Sequence, residues 1–170
     1  TGATGDITVG GNLIMFVSQN SGSGAEIGYG NSGTARKIVV KGDLIMNNAG
    51  SVINVRDPGA GTVVDHELHI QGDIIQGSAS YSSTGLRLWT ASNRARITLF
   101  LDGNNSMTYN LINGTVPQLY RLVINKGISQ ATTARFNLDF VLNGPSSGAG
   151  IPKALELQNG TFIYNNPNSS

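Results

Sequence analysis

One nine-residue pattern occurs three times in the first half of the chain, at intervals of about thirty residues. Its copies are ITVGGNLIM, IVVKGDLIM and LHIQGDIIQ, and their glycines Gly11, Gly42 and Gly72 lie 31 and 30 residues apart. Before each glycine, two apolar residues alternate with other residues, which is the period-two pattern of a strand with one buried face. A unit of this length without a helix cannot bury its own apolar face, so the pattern predicts stacked, equivalent coils.

Weaker copies of the pattern continue towards the C-terminus. They read RITLFLDGN, RLVINKG and LELQNGTFI. Between the last two, the segment FNLDFVLNG alternates strictly between apolar and other residues. Because successive strand side chains point to opposite faces, its inward residues are expected to be Phe136, Leu138, Phe140 and Leu142.

The repeats predict one all-β domain over residues 1–170, a right-handed parallel β-helix or β-solenoid of about six coils with roughly 30 residues per coil. Equivalent side chains should then stack, Ile7 on Ile38 on Leu68. The alternative is an antiparallel β-sandwich, since regularly spaced short strands with turn signals fit that class as well. The chain starts without methionine, so we expect a fragment of a larger exported protein.

The composition is typical of a β-rich protein with many tight turns. Charged residues make up only 12% of the chain, hydrophobic residues 39%, and there are 23 glycines, which differs from the composition of a disordered chain. A formal net charge of +1 gives no electrostatic reason to expect nucleic acid or an anionic membrane as a partner. No apolar run is long enough for a membrane span, and the absence of cysteine excludes disulfides and cysteine nucleophiles.

The repeats also resemble known structural sequences. ITVGGNLIM, IVVKGDLIM, NLINGTVPQLYRLVINKG and LELQNGTFIY are similar to the Gly- and Asn-rich parallel β-helix regions of large secreted or cell-surface bacterial proteins, above all those of the Bacteroidetes type. The resemblance extends from Asp6 to about Tyr164 and implies a fold and an exported location rather than a catalytic site. Such regions are similar to adhesin stalks, and some related β-helices carry carbohydrate-active enzymes.

A Gly-Asx step follows the strand in each of the first three copies. Asn12, Asp43 and Asp73 occupy the same repeat position and would stack at about 4.8 Å, the usual strand separation. Asp43 and Asp73 are then close enough to share a calcium ion, the one cofactor that the sequence suggests. The simpler interpretation is a tight turn, in which the Asx side chain bonds the backbone nearby. Asn12 shows that this position does not need a charge.

The segment DHELH concentrates acidic and imidazole side chains within five residues. On a strand, Asp65, Glu67 and His69 share one face and His66 lies on the other. The first three are expected to point outward, because Leu68 matches the inward position of the repeat. They could act as an acid-base pair, but a single exposed strand is a poor frame for a metal, and we predict no metal site.

The segment GLRLWT places Arg87 and Trp89 on one face, opposite Leu86 and Leu88. A flat indole stacks on the apolar face of a sugar and a guanidinium donates hydrogen bonds, so this pair predicts a glycan-binding platform. The alternative is that Trp89 closes one end of the core. The candidate ligand-binding residues are therefore Trp89, Arg87, Glu67 and His69, and no catalytic residue is predicted.

Two functions remain after these exclusions. The first is a non-catalytic structural or adhesive module of an exported bacterial surface protein, whose partners are neighbouring repeats and an extracellular glycan or other surface ligand. The alternative is a carbohydrate-binding or polysaccharide-processing β-helix that uses a groove on an outer face. The sequence favours a protein that is not an enzyme, that is secreted or displayed on the cell surface, and that binds no nucleic acid.

Overall fold

The computed structural model describes residues 5–16, 25–29, 33–55, 63–89, 95–144 and 153–165. Within these ranges, seventeen short strands form three sheets. Sheet A contains β1 (Ile7–Val9), β4 (Lys37–Val40), β7 (Val64–Ile70), β10 (Ala95–Leu101), β13 (Arg121–Asn125) and β16 (Leu155–Asn159). Sheet B contains β2 (Leu13–Met15), β5 (Leu44–Met46), β8 (Ile74–Gln76), β11 (Met107–Leu111), β14 (Thr133–Asn137) and β17 (Thr161–Tyr164). Sheet C contains β3 (Glu26–Tyr29), β6 (Val52–Val55), β9 (Gly85–Arg87), β12 (Gln118–Leu119) and β15 (Val141–Leu142).

The chain visits sheets A, B and C in turn and then repeats the circuit, so the fold is a parallel β-solenoid. Every pairing between these strands is parallel, and the antiparallel sandwich is therefore wrong. Five circuits contribute a strand to each sheet, whereas the last contributes only β16 and β17, so the count of complete coils is slightly below the expected six. The right-handed sense stays a prediction. No helix in the described ranges is long and apolar enough to cross a bilayer.

The core is built from columns of equivalent side chains that stack from coil to coil. Ile7 pairs in register with Ile38, and Ile38 with Leu68, as the repeat predicted. Burial within this column depends on its level: Ile38 is 6% exposed and Leu68 is fully buried, but Ile7 is 43% exposed. At the other end of the same column Leu155 is 37% exposed. Within this column a residue is therefore well buried only where a described coil lies on each side of it.

The alternation expected around β14 and β15 is confirmed. Phe136 and Leu138 are buried, and Phe140 and Leu142 pack against the core while partly exposed. The segment is nevertheless not one strand, because β14 belongs to sheet B and β15 to sheet C. The chain turns between them and keeps its apolar residues inside.

The Gly-Asx step is a contact between coils rather than the local turn that the sequence suggested. The Asp43 N–H donates to Oδ1 of Asn12 at 2.8 Å, and the Asp73 N–H donates to Oδ1 of Asp43 at 2.8 Å. Each Asx side chain thus lies over the glycine of the following coil. A Cβ on Gly72 would collide with Oδ1 of Asp43 and lie 2.6 Å from the carbonyl carbon of Gly42. Gly11, in the first coil, has no atom within 4 Å of such a Cβ.

Candidate functional site

Strand β7 presents its titratable side chains on the outer surface of sheet A, called face A below. Asp65 is exposed, Glu67 and His69 are partly exposed, and His66 is fully buried on the opposite side. The orientation predicted from the alternation of DHELH is therefore confirmed. The parallel register brings residues from the neighbouring coils beside these side chains, with Lys37 and Thr98 on either side of Glu67.

His69 is held between two carboxylates that come from different coils. Its Nδ1 lies 2.7 Å from Oδ2 of Asp102, directly after β10, and its Nε2 lies 3.0 Å from Oε2 of Glu67. The imidazole also stacks on the ring of Phe100, its register partner, with the centroids 4.3 Å apart and the planes within 4° of parallel. Both ring nitrogens can donate at the same time only in the imidazolium form.

The surrounding charges favour ionised side chains in this cluster. Burial opposes the charge on His69, but the hydrogen bonds and charges of Asp102 and Glu67 outweigh it and raise the pKa of the imidazole above its ordinary 6.5. Burial likewise opposes the charge on Glu67, yet hydrogen bonds from Lys37 and His69 lower the pKa of this carboxyl. The ammonium of Lys37 lies 2.9 Å from Oε2 of Glu67. The four side chains Lys37, Glu67, His69 and Asp102 thus form a charged chain across three coils.

The second histidine, His66, has the opposite environment. Its Nδ1 accepts the backbone N–H of Arg36 at 3.0 Å, and its ring lies 5.0 Å from that of Tyr29 inside the solenoid. Burial, and secondarily the charge of Arg36, lowers the pKa of His66. This histidine is therefore a neutral core residue, which sequence alternation alone had placed correctly.

A buried lysine lies beneath the His69 cluster and was not found from the sequence. Lys126 is fully buried, and its Nζ donates to the carbonyl oxygens of Gln71 at 2.6 Å and Asp102 at 2.5 Å. Burial lowers the pKa of this amine to about 8. Since Gln71 and Asp102 belong to different coils, Lys126 fixes the turn that carries Asp102. The only sequence signal was that Asp102 and Lys126 each directly precede a glycine of the repeat.

Two more ion pairs on face A also join adjacent coils. Arg96 pairs with Asp65, its register partner, and its guanidinium lies 4.8 Å from the centroid of the Tyr120 ring. Arg121 pairs with Glu156 of the last coil and donates from Nε to the carbonyl of Lys153 at 3.0 Å. Between these pairs lies a depression of about 150 Å³, whose lining includes Glu67, Arg96, Tyr120 and Arg121. This volume is below that of typical small-molecule sites.

The remaining candidates, Arg87 and Trp89, lie elsewhere. Arg87 is exposed on the outer surface of sheet C, called face C below, while Leu86 and Leu88 are fully buried, so the predicted facing of this segment is confirmed. Trp89 is partly exposed, and it forms an antiparallel bridge with Arg96 where the chain passes from sheet C to sheet A. The structure therefore brings Glu67 and His69 together, but it does not place Arg87 beside them.

Face C carries a row of polar side chains that the sequence did not reveal, called the polar row below. Asn54, Arg87 and Gln118 come from β6, β9 and β12 and are direct register partners. The Asn54 amide donates to Oε1 of Glu26 at 3.0 Å, and Oε1 of Gln118 accepts from the Asn143 amide at 3.4 Å. Only the register of the third sheet places these residues side by side, because their sequence contexts are unlike one another.

Within the described ranges, no group of three or more His, Asp or Glu side chains is placed so that it could hold a metal ion. Each of Asp43 and Asp73 uses one carboxylate oxygen to accept a backbone N–H of the next coil. Calcium between these two residues stays a prediction. Comparison with protein-family models, with curated proteins and with solved structures found no match to this chain.

Proposed function

We propose that this chain is a non-catalytic structural and adhesive module of an exported bacterial surface protein. The observation that carries the proposal is the pairing on face A, where the groups that could perform acid-base chemistry contact one another across coils. His69 lies between Glu67 and Asp102, and Arg96 pairs with Asp65. The contacts of His69 with Asp102 and of Arg96 with Asp65 join adjacent coils of the array.

The chemistry of the His69 cluster supports a structural role rather than catalysis. A general base needs a free lone pair near its working pH. Both nitrogens of His69 are occupied by carboxylates, and the raised pKa of the imidazole favours the form without a lone pair. Glu67 is held ionised by Lys37 and His69, so it is a poor proton donor.

The exported location and the resemblance to Bacteroidetes-type repeats belong to the same proposal. The stacking of Gly-Asx steps and apolar columns is what an extended array needs, since each coil buries its apolar face only against its neighbours. The low charge content and the absence of cysteine are compatible with a secreted array.

The test is a search for polysaccharide cleavage. The folded protein is incubated with alginate, dextran and xylan, and the release of reducing ends is measured beside the Glu67→Gln variant. The proposal expects no release by either protein. Release by the wild-type chain that is lost in Glu67→Gln would overturn it in favour of a polysaccharide-processing β-helix.

A further inference from the structure

We propose that the polar row on face C is a binding site for an acidic polysaccharide that lies along the solenoid axis, with Arg87 as the carboxylate-binding residue. The inference rests on the adhesive part of the proposed function and identifies the face and the ligand class. It also differs from the sequence-based hypothesis, because it replaces Glu67 and His69 with Asn54 and Gln118.

The register of sheet C gives the site its geometry. Asn54, Arg87 and Gln118 occupy equivalent positions on three consecutive parallel strands. Adjacent strands lie about 4.8 Å apart, so the row offers one polar side chain per coil at a regular spacing. A linear polymer that runs along the axis meets these groups in succession, whereas a compact ligand reaches only one or two.

Arg87 is the residue of the row that is free to bind. It is exposed, and within the described part of the chain its guanidinium forms no hydrogen bond or ion pair. Arg96 and Arg121 of sheet A, by contrast, are each paired with a carboxylate. A free guanidinium presents planar donors that match a carboxylate in a bidentate arrangement.

The neighbours of Arg87 add donors and little charge. The side-chain carbonyl of Gln118 faces the Asn143 amide, which leaves the NH₂ group of Gln118 to donate to a sugar hydroxyl. The Asn54 amide donates to the carboxylate of Glu26, which belongs to β3 at the end of sheet C and is separated from β9 by β6. Trp89 lies two residues beyond Arg87, after the end of β9, and is partly exposed.

The charge of the face selects a polysaccharide over other anionic polymers. Nucleic acid carries a phosphate at every nucleotide, and its binding depends on many cations acting together. The polar row contains one cation, and the whole chain has a formal net charge of only +1. One guanidinium among amide donors fits a polymer that carries both carboxylates and many hydroxyls.

The experiment measures binding to immobilised alginate, a linear polymer of uronic acids, with dextran as the neutral polymer, in about 0.15 M salt. Arg87→Ala is compared with Arg135→Ala, which removes the same charge from β14 in sheet B. The proposal expects wild-type binding to alginate, a loss of about tenfold or more in Arg87→Ala, and a change of less than about twofold in Arg135→Ala. Thermal unfolding of both variants checks that they are folded.

Three results would overturn the site. The first is that the wild-type protein does not bind alginate. The second is that Arg87→Ala and Arg135→Ala lose the same affinity for alginate, which would mean unspecific attraction of a polyanion. The third is that the protein binds dextran as tightly as alginate and that Arg87→Ala leaves this binding unchanged. These three binding results leave the proposed non-catalytic function standing as long as the protein cleaves no polysaccharide. Release of reducing ends by the wild-type chain that is lost in Glu67→Gln would refute the proposed function whatever the binding result.

Discussion

Face A and face C lie on the same solenoid and differ in how their polar side chains are used. On face A the charged residues pair across coils, as in the contact of His69 with Asp102 and the pair of Arg96 with Asp65. On face C the polar row contains an exposed arginine, Arg87, that has no partner in the described part of the chain. Strand register places polar groups in columns on both faces, and among the described residues the ion pairs between neighbouring coils lie on face A.

The difference separates charge that stabilises the array from charge that is available to a ligand. An exposed strand carrying acidic and imidazole groups resembles a site when it is read alone, as DHELH does. In a solenoid, the strand above and the strand below decide whether these groups are free. Whether a segment with many titratable side chains forms a site in such an array should therefore be decided from the residues that stack on it in the two neighbouring coils.

The largest expected loss of stability comes from a substitution that disturbs the stacking of the coils, on which both faces depend. Gly72→Ala places a Cβ against Oδ1 of Asp43 and the backbone of Gly42, so these atoms must shift to admit it. We expect this variant to lose about 3 kcal/mol of unfolding free energy, as for overpacked core sites. Gly11→Ala is the matched control, because no atom lies within 4 Å of its Cβ, and it should change the free energy by less than about 0.5 kcal/mol. Urea unfolding measures both, and equal losses would refute the Gly-Asx stacking.

A smaller effect should distinguish the two faces directly. His69→Gln removes charge-assisted hydrogen bonds to Glu67 and Asp102, and we expect it to cost about 2 kcal/mol near pH 5.5. Arg87→Ala on face C should cost less than about 0.5 kcal/mol. Urea unfolding of the two variants under the same conditions is the measurement, and a larger loss in Arg87→Ala would reverse the assignment of the faces.

The pH dependence of the His69→Gln effect provides a second check. The folded pKa of His69 is raised above 6.5, so its contribution to stability is complete below about pH 6.5 and is lost as the pH rises through the raised value. The folded pKa of Glu67 is lowered from 4.5, so its contribution is present above about pH 4.5 and is lost as the pH falls through the lowered value. The cost of His69→Gln should therefore be largest between these limits and smaller near pH 9.

The smallest expected effect concerns the pair of Arg96 and Asp65. Asp65 is 60% exposed, and exposed ion pairs are worth at most about 1 kcal/mol. A double-mutant cycle with Asp65→Ala and Arg96→Ala should give a coupling free energy of about 0.5 kcal/mol that declines at high salt. Arg96→Ala alone should cost more than Asp65→Ala alone, because Arg96 also contacts the Tyr120 ring. A coupling free energy near zero at low salt would remove this pair from the contacts that join coils.

The sequence was sufficient for the fold because the repeat encodes the register directly. The spacing of Gly11, Gly42 and Gly72 sets the coil length, and the alternating residues predict which side chains enter the core. It also predicted the facing of DHELH and of GLRLWT. The count of complete coils was slightly too high, because the last circuit lacks a described strand in sheet C.

The partners of the site residues could not be predicted in the same way. Asp102 reaches His69 from a turn 33 residues later, and Lys126 reaches Gln71 across 55 residues. These distances along the chain depend on the lengths of the irregular loops, which differ from coil to coil. Gln118 likewise comes beside Arg87 only through the register of sheet C, whose strands carry no Gly-Asx signal.

The most direct test of the central claim is an NMR titration of the two histidines with ¹⁵N-labelled imidazole. The claim that His69 joins coils as an imidazolium predicts a midpoint above 6.5 for this residue. His66 should titrate below 6.5 and, above its midpoint, keep Nδ1 as the unprotonated nitrogen that accepts the Arg36 N–H. A His69 that titrates at or below 6.5 would contradict the account. Its imidazole would then be free to act as a base on face A.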